Sequence, residues 1–119
     1  MSEKEADKEL LQPIADINRT IHAPARLMIL AFLSVVESAD FTFLLNQTGL
    51  TRGNLSSHLS KLEQAGYISI EKEFVERIPR TLIRLTPDGR EAIDIYRENM
   101  RQVVDQLLSD DKLQPTRSE

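Results

Sequence analysis

The sequence predicts an α+β fold that is mainly helical. Apolar residues recur at spacings of three and four in several segments, which is the period of one helical face. Two short segments, 68–71 and 83–86, instead alternate apolar with polar residues, as a pair of β-strands does. Hydrophobic residues make up 40% of the 119 residues and aromatic residues only 5%, so we expect one domain over residues 1–119 with a core mainly of Leu, Ile and Val.

Two helices are predicted in the first third of the chain. Residues 10–21 form the first, because their apolar positions follow a helical period; these are Leu10, Leu11, Ile14, Ile17 and Ile21. The second helix begins at Pro24, since proline suits the first helical position, and continues to Leu33. Its residues are apolar on nearly every side, so we expect it to be central.

A helix-turn-helix is predicted next. After a polar loop over residues 37–40, Thr42 is expected to cap a short helix over residues 43–47. Gly49 is expected to end that helix in the left-handed conformation, and Thr51 to cap the next. About three connecting residues that include a glycine are typical of a helix-turn-helix.

The helix that follows Thr51 has two different faces. Leu55, Leu59 and Leu62 share one face, and small or polar residues occupy the other until Ala65 and Gly66 end the helix. The outward face is therefore rich in hydrogen-bond donors.

A hairpin and a long helix complete the prediction. The alternating segments 68–71 and 83–86 form two strands, and residues 74–80 are expected to project as a loop too long for a tight turn. Thr86 and Pro87 begin a helix that runs to Leu108. Residues 109–119 are polar, and we expect them to form a flexible tail.

Three stretches carry a family resemblance. Residues 50–68 run from Leu-Thr through Ser-x-His-Leu to Leu-x-x-Ala-Gly, residues 84–90 read Arg-Leu-Thr-Pro-Asp-Gly-Arg, and residues 24–30 read Pro-x-Arg-Leu-x-Ile-Leu. In these stretches and in the order of its predicted elements, the chain resembles winged helix-turn-helix regulators of the MarR and ArsR type. The resemblance implies a DNA-binding core over residues 22–90, with the hairpin as its wing, and terminal helices that pair two subunits.

The helix after Thr51 would then enter the major groove as the recognition helix. Arg52, Asn54, Ser56 and Ser57 can reach base edges, since Asn suits adenine and Arg suits guanine. Ser57, Ser60 and Lys61 suit phosphates. The candidate DNA contacts are Thr51, Arg52, Gly53, Asn54, Ser56, Ser57, His58, Ser60 and Lys61. The alternative is that Thr51 only caps the helix and the serines only form a solvated face. Strong helix formers would suit such a face better than these small polar residues do.

The histidines and the wing leave alternatives open. His58 lies at the margin of the buried face, where it either binds a phosphate or packs locally, and His22 is interpreted as a capping or packing residue. The resemblance implies that Arg77 and Arg80 enter the minor groove or grip its flanking phosphates, and Arg84 is a candidate for a backbone contact. The candidate DNA contacts of the wing are Lys72, Arg77, Arg80 and Arg84. The alternative is a charged, solvated loop, or for Arg84 an ion pair with Glu71.

Two apolar stripes exceed what a small core needs and suggest a homodimer. The predicted interface residues are Leu10, Ile14, Ile17, Ile21, Ile93, Tyr96, Met100, Val103 and Leu107. The alternative is that the two stripes pack on each other within one chain.

Several classes of protein fit the sequence poorly. The chain has no cysteine and two histidines, and we find no Gly-rich phosphate loop, no catalytic set and no metal-ligand spacing, so we expect no enzyme, metal or cofactor. No apolar run approaches a membrane span and the first residues lack an apolar signal core, so we expect the cytoplasm. A small-molecule effector in a dimer crevice stays open.

The net charge of −4 at first argues against nucleic acid. Residues 51–90, however, hold seven basic and five acidic residues, a net charge of +2, and the remainder of the chain carries −6. This charge predicts weak nonspecific affinity for DNA, so useful binding must rely on dimerisation and base contacts. With the resemblance, we predict a regulator that binds a pseudo-palindromic duplex site as a homodimer and acts by repression. The alternative is a winged-helix adaptor that docks another protein without reading DNA.

Overall fold

The computed structural model describes residues 10–109 and shows the expected α+β, mainly helical architecture. The helices are α1 over residues 10–15, α2 Pro24–Leu33, α3 Phe41–Thr48, α4 Arg52–Gln64 and α5 Pro87–Leu108. The strands are β1 Ala39–Asp40, β2 Ile68–Val75 and β3 Ile78–Leu85. Of the predicted flexible tail over residues 109–119, all but Ser109 lies outside the described residues.

The first helix is shorter than predicted. It ends at residue 15 instead of continuing to Ile21. The side-chain oxygen of Asn18 accepts hydrogen bonds from the backbone N–H groups of Thr20 and Ile21, at 3.0 and 3.1 Å. Asn side chains compete with helical hydrogen bonding in this way, so a turn replaces the last predicted helical turn.

The short helix α3 begins two residues earlier than predicted, and its cap is a different residue. Oδ1 of Asp40 accepts from the backbone N–H of Phe43 at 2.7 Å, so Asp40 rather than Thr42 is the N-cap. The predicted polar loop also contains a short strand, because Ala39 and Asp40 pair with Ile83 and Leu82 of β3. The sheet order is β1-β3-β2, with both pairings antiparallel.

The predicted loop over residues 74–80 was wrong. Strands β2 and β3 pair without a break from Ile68↔Leu85 to Val75↔Ile78. Only Glu76 and Arg77 connect them, with φ angles of 53° and 69°. Two consecutive left-handed residues give a turn whose twist matches that of the strands, which is why so short a connection closes this hairpin.

One apolar cluster holds α2, α3, α4 and the sheet together within a compact unit, Asn18–Tyr96, that we call the central unit. Its buried members are Ile21, Ile29, Leu30, Leu33, Ala39, Leu44, Leu55, Leu59, Leu62, Ile68 and Ile83. The start of α5 lies so close to this unit's backbone that a Cβ on Gly89 would overlap the carbonyl oxygen of Tyr67. A side chain at position 89 would therefore displace the helix.

The second compact unit consists of the chain ends, Met1–Ile17 and Arg97–Glu119, and we call its described part the terminal unit. Here Nδ2 of Asn99 donates to the carbonyl oxygen of Pro13 at 2.7 Å, and Val103 is only 7% exposed. Most of the large apolar side chains of this unit are exposed; they include Leu11, Ile14, Val104, Leu107 and Leu108.

Candidate nucleic-acid interface

The start of α4 is set by two local features that the sequence predicted. Gly49 adopts φ of 70° at the end of α3, and its N–H donates to the carbonyl oxygen of Leu45 at 3.1 Å. Oγ1 of Thr51 accepts from the backbone N–H of Asn54 at 3.1 Å, which makes Thr51 the N-cap of α4. The helix-turn-helix therefore has the geometry that its spacing predicted.

The two faces of α4 differ as the sequence predicted. Leu55, Leu59 and Leu62 are buried, and the opposite side is exposed along its length; its residues are Arg52, Gly53, Asn54, Ser56, Ser57, Ser60 and Lys61. Within residues 10–109, the side chains of Asn54, Ser56 and Ser57 have no hydrogen-bond partner. The rigid helix thus presents unpaired donors and acceptors to solvent.

Arg52 has a different environment from its neighbours. Its guanidinium lies over the ring of Phe41, with Cζ 5.7 Å from the ring centroid, which is a cation–π distance. Both residues border a groove of about 370 Å³ between α4 and the sheet; its lining is Phe41, Arg52, Ser56, Leu59, Ser60, Glu63, Ile70 and Thr81. The head of Arg52 is therefore positioned before any ligand arrives.

His58 has a local partner. Its Nδ1 lies 3.1 Å from Nη1 of Arg26, which can only donate. Desolvation lowers the pKa of His58 below its ordinary value, and the charges of Arg26 and Lys61 lower it further. The neutral ring therefore accepts from Arg26. The two roles predicted for His58 were phosphate binding and packing within the chain, and the contact with Arg26 is of the second kind.

Arg26 is a residue that sequence reasoning missed as part of this surface. Besides His58, it donates through Nε to the carbonyl oxygen of Thr20 and through Nη2 to that of Arg19, the latter at 3.3 Å. The Pro-x-Arg-Leu motif marked this position, but its partner His58 lies 32 residues away. Only the tertiary structure brings the two together.

The four wing cations do not share one face. The pairings Lys72↔Thr81, Glu73↔Arg80 and Ser69↔Arg84 place Lys72 on the opposite side of the hairpin from Arg80 and Arg84, because side chains alternate along a strand. Arg77 lies in the turn at the tip. Within residues 10–109 Arg84 forms no ion pair with Glu71.

Arg80 and the wing tip add two observations that the sequence did not predict. Nη1 of Arg80 lies 3.9 Å from Oδ2 of Asp40, a long ion pair. The hairpin end is also apolar and exposed, with Phe74 at 76% and Ile78 at 56%. The wing therefore offers an apolar tip as well as charge.

The structure separates the predicted dimer residues into two groups. Ile21 is 1% exposed and belongs to the core, and Ile93 and Tyr96 pack against the same core. The hydroxyl of Tyr96 lies 2.8 Å from Nδ1 of His22, and burial raises the pKa of Tyr96. Ile21 is therefore used inside the single chain, while Ile93 and Tyr96 are half-buried and pack on its core. His22 is exposed and contacts Tyr96.

The remaining predicted dimer residues differ in exposure. Val103 is buried, and Leu10, Ile17 and Met100 are half-buried. Ile14 and Leu107 are exposed. The bond from Asn99 to Pro13 shows that residues of α1 and α5 also contact each other within one chain.

Two further observations concern the described part of the chain. No helix within residues 10–109 is long and apolar enough to cross a membrane. In the same range, no group of three or more His, Asp or Glu side chains is arranged to hold a metal ion.

Comparison with known proteins gives a consistent result. A family model described as a winged helix DNA-binding domain matches residues 25–104. An uncharacterized protein from Methanocaldococcus jannaschii is 35% identical over 78 residues, which are 66% of this chain and 85% of that protein. These matches confirm the winged helix-turn-helix prediction.

Solved structures share the fold. A transcriptional regulator homologue from Pyrococcus horikoshii OT3 superposes with a TM-score of 0.76 and 32% identity, covering 85% of this chain and 99% of that chain. The transcriptional repressor CouR, solved on a 23-mer DNA duplex, gives a TM-score of 0.63 with 21% identity, covering 91% of this chain and 79% of its own. At that identity the second likeness concerns the fold alone.

Proposed function

The chain belongs to the winged helix DNA-binding domain family and is a DNA-binding regulator, and we propose that it acts in the cytoplasm as a homodimeric repressor of a pseudo-palindromic site. We assign DNA binding to residues 22–90 and dimerisation to α5 together with the residues of the terminal unit. Bound at a promoter, such a dimer would repress by blocking access.

The observation that carries this proposal is the exposed polar face of α4. We propose that Arg52, Asn54, Ser56 and Ser57 contact base edges in the major groove, because bidentate Asn and Arg contacts distinguish adenine and guanine there. Ser60 and Lys61 would contact backbone phosphates. The buried leucines of α4 support this role, since a rigid backing positions the contacts before DNA arrives.

The wing would contact DNA mainly through its tip. Arg77 lies in the turn, so we propose that it enters the minor groove or contacts the phosphates that flank it. Lys72, Arg80 and Arg84 would contact the backbone from two sides of the hairpin, with Arg80 exchanging its long pair with Asp40 for a phosphate.

A second copy of the chain is proposed to cover the exposed apolar residues of the terminal unit. Contiguous exposed apolar residues are typical of interaction sites. A two-fold dimer would place its two α4 helices about 34 Å apart, one turn of DNA. The operator would then consist of two inverted half-sites.

A protein–protein adaptor is the second candidate function, and the apolar wing tip favours it. Phe74 and Ile78 are exposed on a hairpin end, where an apolar partner surface could cover them. Winged helices of this kind would dock a protein without reading DNA.

Selection from a random duplex library separates the two functions. We expect the full chain to enrich a pseudo-palindromic sequence, and its affinity for that duplex to fall steeply as salt rises. The α4 variant Asn54→Ala should lose the enriched preference at one base position. Its matched control is Asn46→Ala, on the exposed side of α3, which should keep that preference. Failure to bind any duplex at about 50 mM salt would overturn the regulator and favour the adaptor.

A further inference from the structure

A second basic surface lies beside α4, on a part of the molecule that the proposed base contacts do not use. A recess of about 390 Å³ separates the end of α4 from α2 and the segment before it; its lining is Arg19, Thr20, Arg26, Lys61, Gln64 and Ala65. Among residues 10–109, this lining contains three cations and no carboxylate. The groove on the other side of α4 differs, because Glu63 borders it.

In the part of the chain that the structure describes, the groups that hold Arg26 in this recess are all neutral. Two of its N–H groups donate to the carbonyl oxygens of Thr20 and Arg19, and a third donates to the neutral ring of His58. A guanidinium has five N–H donors, so two remain for a ligand. The side chain is therefore fixed in place, yet its charge is not neutralised.

The other two cations of the recess also lack an acidic partner among the described residues. Arg19 and Lys61 are exposed, and within residues 10–109 neither forms an ion pair with a carboxylate. Desolvation is the largest cause of the lowered pKa of His58, and the charges of Arg26 and Lys61 lower it further because both cations lie close to the ring. An anion in the recess would relieve the repulsion among the three cations.

The position of the recess along α4 indicates which anion it would take. Asn54, Ser57 and Lys61 follow one another at spacings of three and four, so they form one exposed stripe. The helical rise of about 1.5 Å per residue separates Asn54 from Lys61 by about 10 Å. A recognition helix contacts bases mainly through its N-terminal residues, so with Asn54 at the bases the recess, about two turns further along α4, would lie toward the phosphates that border the groove.

We propose that the recess of Arg19, Arg26 and Lys61 binds a backbone phosphate of DNA at the edge of the major groove that α4 occupies. This inference rests on the proposed function. The free N–H donors of Arg26 would hold the phosphate oxygens, and the flexible heads of Arg19 and Lys61 would add charge. The contact would increase affinity for every sequence and would not distinguish bases.

Arg19 offers the cleanest test, because no partner holds its side chain within residues 10–109, whereas Arg26 also holds the fold together. We would measure the affinity of full-length Arg19→Gln for the selected duplex and for a scrambled one between about 50 and 300 mM salt. Arg101→Gln is the matched control, since it removes the same charge from α5, where Arg101 pairs with Glu98 and Asp105 and is not one of the predicted interface residues. Sedimentation should show that both variants have the oligomeric state of the unaltered chain before their slopes are compared.

We expect Arg19→Gln to reduce the slope of log affinity against log salt by about one unit for each recess engaged, equally for both duplexes. Arg101→Gln should leave the slope unchanged. In the unaltered chain, neutral methylphosphonates placed singly along the duplex should reveal one sensitive position at the groove edge, and that sensitivity should disappear in Arg19→Gln.

Three results would be distinguishable. If the unaltered chain binds no duplex, the proposed function fails. If it binds duplex and Arg19→Gln has the same slope as Arg101→Gln, the recess is not a DNA contact and the inference is overturned. Saturable binding of inorganic pyrophosphate at the recess, followed by NMR, together with that unchanged slope would assign the recess to a free anion instead.

Discussion

The central and terminal units differ in how many of their apolar residues are buried. In the central unit one buried cluster unites apolar side chains of α2, α3, α4 and the sheet, while other large apolar residues, such as Phe74 and Ile78 at the wing tip, are exposed. In the terminal unit Val103 is buried, while Leu11, Ile14, Leu107 and Leu108 are exposed. The difference indicates that the central unit is stabilised by its own core, whereas the terminal unit has apolar surface left for another molecule.

The largest expected effect tests the core of the central unit. Leu59 is 2% exposed, and Leu59→Ala should lower the free energy of unfolding by about 2–5 kcal/mol, because it leaves a cavity. Val35→Ala is the control, since Val35 is 79% exposed and should change stability by less than about 0.5 kcal/mol. Urea denaturation of both variants measures the difference; equal losses would mean that the core does not carry the stability.

The next effect tests the exposed surface of the terminal unit. Leu107 is 74% exposed, and Leu107→Glu should weaken dimerisation by about 2–3 kcal/mol, because it places a charge where we propose apolar contact. Sedimentation at micromolar concentration should show a dimer for the unaltered chain and a monomer for the variant.

Ile78→Glu, at the exposed wing tip, is the control for that experiment and should remain a dimer. A dimer lost in Ile78→Glu and kept in Leu107→Glu would reverse the comparison, because the wing would then be the surface that pairs two chains.

A smaller effect tests whether base reading belongs to the central unit. Asn54→Ala should cost about 1–3 kcal/mol at one base position and relax the preference there. Lys61→Gln should weaken all duplexes alike and flatten the salt dependence. Affinities for single-base variants of the selected duplex measure both. If the two substitutions have the same profile across those variants, the assignment of base and phosphate contacts is wrong.

The smallest effect concerns the contact between Arg26 and His58. The folded-state pKa of His58 is lowered, so its neutral form contributes stability above the ordinary His pKa of about 6.5, and this stability is lost as pH falls through the folded-state pKa. His58→Gln cannot gain a proton and should remove that part of the pH dependence. Thermal melts from about pH 7 down to pH 5 compare the two chains, and identical profiles would contradict the assignment.

The well-predicted parts of the fold depend on signals within a few residues. Pro24 begins α2, Gly49 ends α3, Thr51 caps α4, and Oγ1 of Thr86 accepts from the N–H of Gly89 at the start of α5, at 2.9 Å. Each is a contact between near neighbours, so the local sequence contains both partners.

The mispredicted parts have other causes. Strand β1 has only two residues and exists because β3 pairs with it, and no period can be detected over so short a length. The tight turn at Glu76 and Arg77 lacks the glycine or asparagine that normally marks it. The early end of α1 depends on Asn18, whose side-chain oxygen accepts hydrogen bonds from the backbone N–H groups of Thr20 and Ile21.

The sequence by itself determined the order of the helices and the hairpin, the two faces of α4 and the family, because helical period, caps and motifs are local patterns. Tertiary structure decided which apolar residues are used inside the chain: Ile21, Ile93 and Tyr96 belong to or pack on the core, and Leu107 is exposed. It also decided the partner of Arg26 and the position of its recess. An apolar or charged residue has the same chemistry whichever surface it contacts, so its partner is known only once distant segments have packed together.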